Sequence, residues 1–308
     1  MRKYISLLGM ILFIVALIVL IGNGGGCGPA KELPEEVLIH KDAIVVPPDP
    51  LGKFPVSSDP LAKDVYRRVV NAITEGKLES QARARNCRVT AHGKFRSPSA
   101  NEMVETTRSV TTVWPDRAQT IYEFKEGFLG KRTVGIRGTF GWMHPELPLF
   151  FPPSEIAKVI AIDVTAQQWI PLSLDLTEHS AILFDVQHKK NGNESTTTFK
   201  FGWPNRIDWP IYLVTCDDKT NLPVKIEYSP LSIDRQDRRR YELTLADHKS
   251  FLGLMLPTTM SLKANDTLVE SWTIDSWEFP EKVEDTLFEK PKDTPTKSEK
   301  PKDISTKQ

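Results

Sequence analysis

The sequence predicts a mainly β protein of the α+β class: a single large curved antiparallel sheet, with one or two helices plugging its concave face. Three observations predict it. Between residues 61 and 288 nearly every segment is rich in β-branched or aromatic residues and is broken by Pro, Gly, Ser or Asn. In the last third the apolar residues alternate with polar ones at a period of two. Val224, Ile226 and Tyr228 oppose Lys225 and Glu227; Tyr241, Leu243 and Leu245 oppose Glu242 and Thr244; Met260 and Leu262 oppose Ser261 and Lys263. That pattern belongs to antiparallel strands covered on one side only. Helical spacing occurs at just two places in this region.

The first of these opens the folded region. In "DPLAKDVYRRVVNAITEGK" Asp59 is a cap, Pro60 fits the first turn, and Leu61, Val65, Val69 and Ile73 repeat at helical spacing up to Gly76. Strands follow in "ARNCRVTAHGKF", "ETTRSVTTVW", "AQTIYEFKEG" and "RTVGIRGTFGW". Prolines then bracket an apolar "LFF" at 147–153, which suits a lid, a membrane-touching loop or a segment packed under the sheet. A short second helix begins near Ser154. Next, "HSAILFDVQHKKNGNESTTTFKFGW" reads as a hairpin turned at Asn191-Gly192. "TCDDKTNLPVKIEY" crowds Cys216, Asp217 and Asp218 together, but its turn formers and Pro223 make "DDKTNL" a hairpin loop between two strands.

The two ends differ from this middle. Arg2 and Lys3 precede seventeen uncharged residues, then "GNGGGC" ends in Cys27. Two readings fit: a signal whose Cys27 receives lipid, or an uncleaved transmembrane anchor followed by a glycine linker. Either puts the rest of the chain in the cell envelope, outside the cytoplasmic membrane. Residues 28–60 are a proline-rich tether. Residues 289–308 repeat EKPKD without aromatic residues and form a disordered Lys/Pro/Thr tail. The domain proper is thus 61–288.

Composition excludes some functions. Forty Lys+Arg balance forty Asp+Glu, so there is no electrostatic case for nucleic acid. Motifs of hydrolases, zinc proteases, P-loops and dinucleotide sites are missing, and the six histidines show no metal-ligand spacing. No catalytic residue and no metal ligand is therefore named. If Cys27 is acylated, Cys87 and Cys216 remain as an even pair in an oxidising compartment. A disulfide between them and two buried free thiols both fit the sequence.

The order "DDKTNLPVKIEY", "RRYELTLADHKSFLGLMLPTTMSLK" and "ESWTIDSWEFPEKVEDTLFEKP" resembles the C-terminal half of the LolA-like superfamily. That group includes periplasmic lipoprotein carriers, outer-membrane lipoprotein receptors and the sensor RseB. The residues that carry the resemblance are the D-x-x-T-x-L-P turn at Asp217–Pro223, the G-x-x-L-P step at Gly253–Pro257 and the closing Asp285–Phe288. The resemblance implies an eleven-stranded half-barrel whose apolar interior takes acyl chains, without a cofactor. It implies lipid or lipoprotein acyl chains as partners. Cys27 or the transmembrane run departs from a soluble carrier, so a membrane-tethered receptor or sensor fits better than a shuttle. The alternative is an envelope sensor or scaffold that binds another envelope protein through the same fold.

On that reading the large apolar residues of inward faces are candidates for the cavity wall: Trp114, Tyr122, Phe140, Trp142, Ile226, Tyr228, Met260, Leu262 and Trp272. Their other reading is ordinary core.

Overall fold

The computed structural model describes residues 49, 51, 54–96, 101–125, 130–146, 152–174, 181–206, 208–231 and 238–291. Cys27 and the expected anchor, most of the expected tether, the apolar "LFF" and nearly all of the expected tail lie outside the described residues. Among the described residues no helix is long and apolar enough to cross a membrane.

Helix α1 (Pro60–Ile73) starts as its sequence dictates. The Asp59 carboxylate accepts the Leu61 N–H at 2.8 Å, and Pro60 occupies a first-turn position where its missing N–H costs nothing. Val65, Val69 and Ile73 are buried, but Leu61 in the first turn is 49% exposed. A short helix, α2 (Leu78–Arg83), follows.

Fourteen strands come next. The first five are β1 (Asn86–Arg96), β2 (Met103–Val113), β3 (Arg117–Phe124), β4 (Lys131–Arg137) and β5 (Phe140–His144). After helix α3 (Pro153–Val164) come β6 (Ile182–Asn191), β7 (Glu194–Gly202), β8 (Tyr212–Asp217), β9 (Pro223–Tyr228) and β10 (Tyr241–Ala246). The last four are β11 (Lys249–Phe251), β12 (Leu254–Leu256), β13 (Thr259–Ala264) and β14 (Thr267–Glu278).

Twelve strands form one antiparallel sheet in the order β5-β4-β3-β2-β1-β14-β13-β10-β9-β8-β7-β6, and β11 and β12 pair separately as a small hairpin. The sheet does not close on itself and has the form of a half-barrel. Two runs of neighbouring strands, β1 to β5 and β6 to β14, meet where β1 pairs with β14. There the chain passes very close: a Cβ on Gly93 would stand 1.9 Å from the Ser271 carbonyl oxygen, so glycine is required.

Several expectations change. The sheet has twelve strands, not the eleven that the resemblance implies. "RTVGIRGTFGW" is two strands, because Gly138 takes a positive φ of 60° and turns β4 into β5. The β6–β7 hairpin turns at residues 192–193, since Asn191 pairs with Glu194 and Gly192 carries the positive φ. Glu227 is buried on its polar face because Lys225 and Arg240 both pair with it. The second helix also runs further than a short one. At Thr165–Trp169 it continues as a π-helical turn, with Ile170 N–H donating to the Thr165 carbonyl at 2.9 Å.

α1 and α3 lie on one face of the sheet. α1 covers β6 and β7. α3 crosses β5 and β4 and reaches the far half, where the Tyr212 hydroxyl donates to the Ile162 carbonyl at 3.1 Å. The fit at β5 is tight: a Cβ on Gly141 would meet the Ala157 backbone nitrogen at 2.2 Å. The core is the layer between the sheet and these helices.

Candidate functional site

The covered face is the place to look for a site. Across β10, β9, β8 and β7 the register aligns Tyr241, Tyr228, Tyr212 and Phe201 in one row. Successive ring centroids are 5.2, 5.5 and 5.0 Å apart. This ladder forms an aromatic wall under the C-terminal half of α3, and cross-strand pairs of this kind stabilise a sheet. On the other half of the sheet the corresponding layer is polar in the middle. Arg108 on β2 is buried, and its guanidinium donates to the Gln167 side-chain carbonyl of the π-helical turn. It also pairs with Glu270 on β14 at 3.5 Å and lies 4.4 Å from the centre of the Trp272 ring. The Trp272 indole N–H donates to the same Glu270 carboxylate at 2.8 Å. From α3, the half-buried Asp163 accepts the Tyr228 hydroxyl at 3.2 Å.

These contacts set the protonation. Burial, reinforced by the charge of Glu270, pushes the Asp163 carboxyl up to about 7, against the opposing effects of Tyr228 and Arg108. Burial also raises Glu270, with Arg108 and Trp272 opposing. α3 is therefore held over the sheet by apolar packing together with two polar clasps, Arg108–Gln167 and Tyr228–Asp163.

Space beneath the helix is small. A cavity of about 30 Å³ is lined by Arg108, Val110, Tyr122, Val134, Ile160 and Asp163, among others. That is one water molecule's share of the liquid and far too little for an acyl chain. Next to it along the same two elements is a larger groove of about 460 Å³. Its lining includes Ile136 of β4 and Ala157, Lys158 and Ala161 of α3, with Pro115, Gly138, Arg206 and Trp209 at its rim. The inner cavity and the groove share β4 and α3 as walls, so the groove leads towards the covered layer from one end of the half-barrel.

No family model matches this chain, and no curated protein does. Solved structures do. A LolA superfamily protein from Nitrosomonas europaea is 10% identical, with a TM-score of 0.47, and the match covers 74% of this chain and 97% of that one. A putative outer membrane lipoprotein-sorting protein domain from Vibrio parahaemolyticus is 12% identical, with a TM-score of 0.43 over 71% of this chain and 97% of its own. A DUF1329 family protein from Desulfovibrio piger is 10% identical, with a TM-score of 0.45 over 75% of this chain and 98% of its own.

The residues named from the sequence as LolA-like cavity wall divide by face. Trp114, Tyr122, Ile226, Tyr228, Met260, Leu262 and Trp272 are buried on the helix-covered face. Tyr122 is the one that touches the inner cavity, and Trp114 packs edge-on against Trp169 at 4.8 Å. Phe140 and Trp142 face the other way. Trp142 pairs with Gly135, out of phase with the inward Val134 and Ile136, and its indole N–H donates to the Phe288 carbonyl at 2.9 Å. Phe140 is 49% exposed. The turn at Gly138 that the sequence reading missed set the wrong phase for both.

Cys87 on β1 and Cys216 on β8 are free, buried thiols. Four strands stand between them in the sheet, and strands spaced ~4.8 Å apart put them well beyond disulfide reach. Burial pushes both thiols up, in Cys216 with help from Asp218, so neither is a ready nucleophile. Asp217 and Asp218 serve the hairpin: Asp217 accepts the Thr220 N–H at 2.9 Å, and Asp218 accepts the Ser195 and Thr197 hydroxyls. Among the described residues no group of His, Cys, Asp and Glu could hold a metal ion.

Sequence reasoning missed Arg108, Asp163, Gln167 and Glu270. A signal existed for two of them. Arg108 has the parity of the inward Thr106 and Val110, and Glu270 has the parity of Trp272, so both were charges on an inward face.

Proposed function

We propose that this chain is a membrane-tethered binding protein of the cell envelope, one that takes a lipid or lipoprotein acyl chain between its half-barrel sheet and α3. The observation that carries the reading is the cover. A largely apolar sheet face lies under a helix clasped at Arg108–Gln167 and Tyr228–Asp163, and a 460 Å³ groove leads along that helix from one end. A site of that volume is in the range of small-molecule pockets. Burial drives the affinity, at roughly 25 cal/mol per Å² of apolar surface, so neither a cofactor nor a covalent step is needed. With about 30 Å³ beneath the helix there is no room for an acyl chain in this arrangement, so on this reading the chain enters as α3 lifts from the sheet. The function is binding and hand-over rather than catalysis. Tethering through Cys27 or an uncleaved anchor keeps the hollow at a membrane surface.

Native mass spectrometry of the chain extracted from membranes tests this. Binding predicts adducts of lipid or acylated-peptide mass that dissociate on activation. A chain that stays empty when offered fatty acids and lysolipids would sink the reading and favour the envelope sensor or scaffold. Acyl labelling of wild type and Cys27→Ser tests the tether separately, since label kept by the variant excludes Cys27 as the lipid site.

A further inference from the structure

The connection from β7 to β8 carries a feature that the acyl reading does not use. In "WPNRIDW" a single arginine stands three residues from a tryptophan on either side. Two consecutive turns fix this spacing: Arg206 N–H donates to the Trp203 carbonyl at 3.0 Å, and Trp209 N–H to the Arg206 carbonyl at 2.9 Å. The indoles meet edge to face at 5.3 Å, and the guanidinium lies 4.3 Å from the Trp209 ring centre and 5.7 Å from that of Trp203. Such stacking holds a planar cation in place while leaving its donors free.

Arg206 and Trp209 both line the 460 Å³ groove. Among the described residues two other charged side chains line it, and each is already engaged. Asp116 lies 3.7 Å from Arg117; Lys158 lies 2.6 Å from Glu155 and 3.6 Å from Asp208. Arg206 forms no ion pair among the described residues, and partial loss of hydration against the indoles lowers its pKa, so its charge would gain from an opposite one. The rest of the wall among the described residues is uncharged: Pro115, Ile136, Gly138, Ala157 and Ala161 are apolar or small, and Thr139 and Ser154 add two hydroxyls. One rim cation and an apolar passage inward fit a molecule with a charged end and a greasy end.

We infer that the groove takes the anionic head of a single-chain lipid, with Arg206, stacked on Trp209, as the fork that binds a phosphate-type oxyanion while the chain points under α3. This rests on the acyl-binding reading and names the head group for it. A guanidinium pairs with two oxygens at once, which Lys158 could not do.

The test is isothermal titration of the full chain with dodecyl phosphate, dodecanol and inorganic phosphate, for wild type, Arg206→Gln, Arg206→Lys and Trp209→Leu. Arg206 is exposed, so its variants are expected to fold, and circular dichroism checks that. The expected result is dodecyl phosphate binding about tenfold or more tighter than dodecanol to wild type, the ratio falling to near one in Arg206→Gln. Arg206→Lys and Trp209→Leu are expected to fall in between. An unchanged ratio in Arg206→Gln overturns the head-group site while leaving acyl binding intact. Inorganic phosphate binding as tightly as dodecyl phosphate, and losing its binding in Arg206→Gln, overturns the lipid in favour of a free anion. If no amphiphile binds, both the site and the acyl reading fail.

Discussion

Arg108 and Glu270 are charges in a place where charge is costly. Each is taken out of water, and their attraction at 3.5 Å, helped by Gln167 and Trp272, offsets that cost only while every partner is present. Arg108→Met alone is therefore expected to lower stability by about 3–5 kcal/mol, because Glu270 is left buried and unpaired. The double variant Arg108→Met with Glu270→Leu should recover most of that loss. Chemical denaturation of the four chains in this cycle measures it, and a double variant as unstable as the single one would refute the account. Asp163 adds a pH dependence. Its folded-state pKa lies above its unfolded one, so the folded chain holds the extra proton, and this contribution is complete below the unfolded pKa and lost as pH rises through about 7. Glu270 acts in the same direction. The folded chain is thus expected to lose denaturant resistance between about pH 4 and pH 7. Carboxylates held low, such as Asp185 and Asp218, act in the opposite sense at more acid pH, and His248, which burial holds below the usual imidazole range, opposes the decline within the window. Asp163→Asn should flatten the decline, and an equally steep decline in that variant would assign it elsewhere. Strand parity marked Arg108 and Glu270 as inward charges, but their pairing was not legible, because parity says nothing about what faces a residue across the sheet.

Elements fared differently. α1 was legible because its signals are local: Asp59, Pro60 and a helical apolar stripe need no knowledge of the rest of the chain. The 217–223 hairpin was legible for the same reason, with Asn221 in the left-handed region at φ 56° and Asp217 capping Thr220. The β4–β5 turn was hidden, since "RGTFG" carries a weak turn signal inside an apolar run, and missing it reversed the faces of Phe140 and Trp142. α3 was seen only at its start, because its continuation through the π turn is decided by what it covers. Its seat on β5 is the bare backbone at Gly141, where a Cβ would stand 2.2 Å from Ala157 N and 2.7 Å from Ala157 Cα. Gly141→Val should therefore push the first turns of α3 off the sheet. A destabilisation of roughly 1–3 kcal/mol is expected, as for overpacking elsewhere. If α3 is the movable cover, the same variant should also bind a fluorescent hydrophobic probe or dodecyl phosphate more readily than wild type. Lost stability without increased probe binding would mean that α3 is fixed core and that the hollow opens elsewhere.

At the scale of the molecule, the sheet is two runs of strands that touch at one seam. β1 to β5 pair largely with sequence neighbours, and so do β6 to β10, but the halves become one sheet only when β14 lies against β1. That pairing brings together residues far apart in sequence, an ordering that is entropically expensive and kinetically late. The alternating pattern of β14 identified a strand, but no sequence signal named β1 as its partner, so the central seam could not be read in advance. The end of the chain then straps the outer face: the Gln119 amide donates to the Leu287 carbonyl at 2.6 Å, Arg117 pairs with Asp285, and Phe288 is buried against this cluster. Two truncations follow from this layout. A chain ending after residue 291 keeps the seam and the strap, and it should unfold in one cooperative transition with a midpoint equal to that of the full chain. A chain ending after residue 266 loses β14, and with it the buried Glu270, Trp272 and Trp277. It should show no cooperative transition in either half, because β1 to β5 would expose its inner apolar face along the broken seam. Calorimetry of both chains decides the matter. A sharp, independent transition surviving in the shorter one would mean that the first run of strands folds alone, and that the half-barrel is two cooperative units joined late.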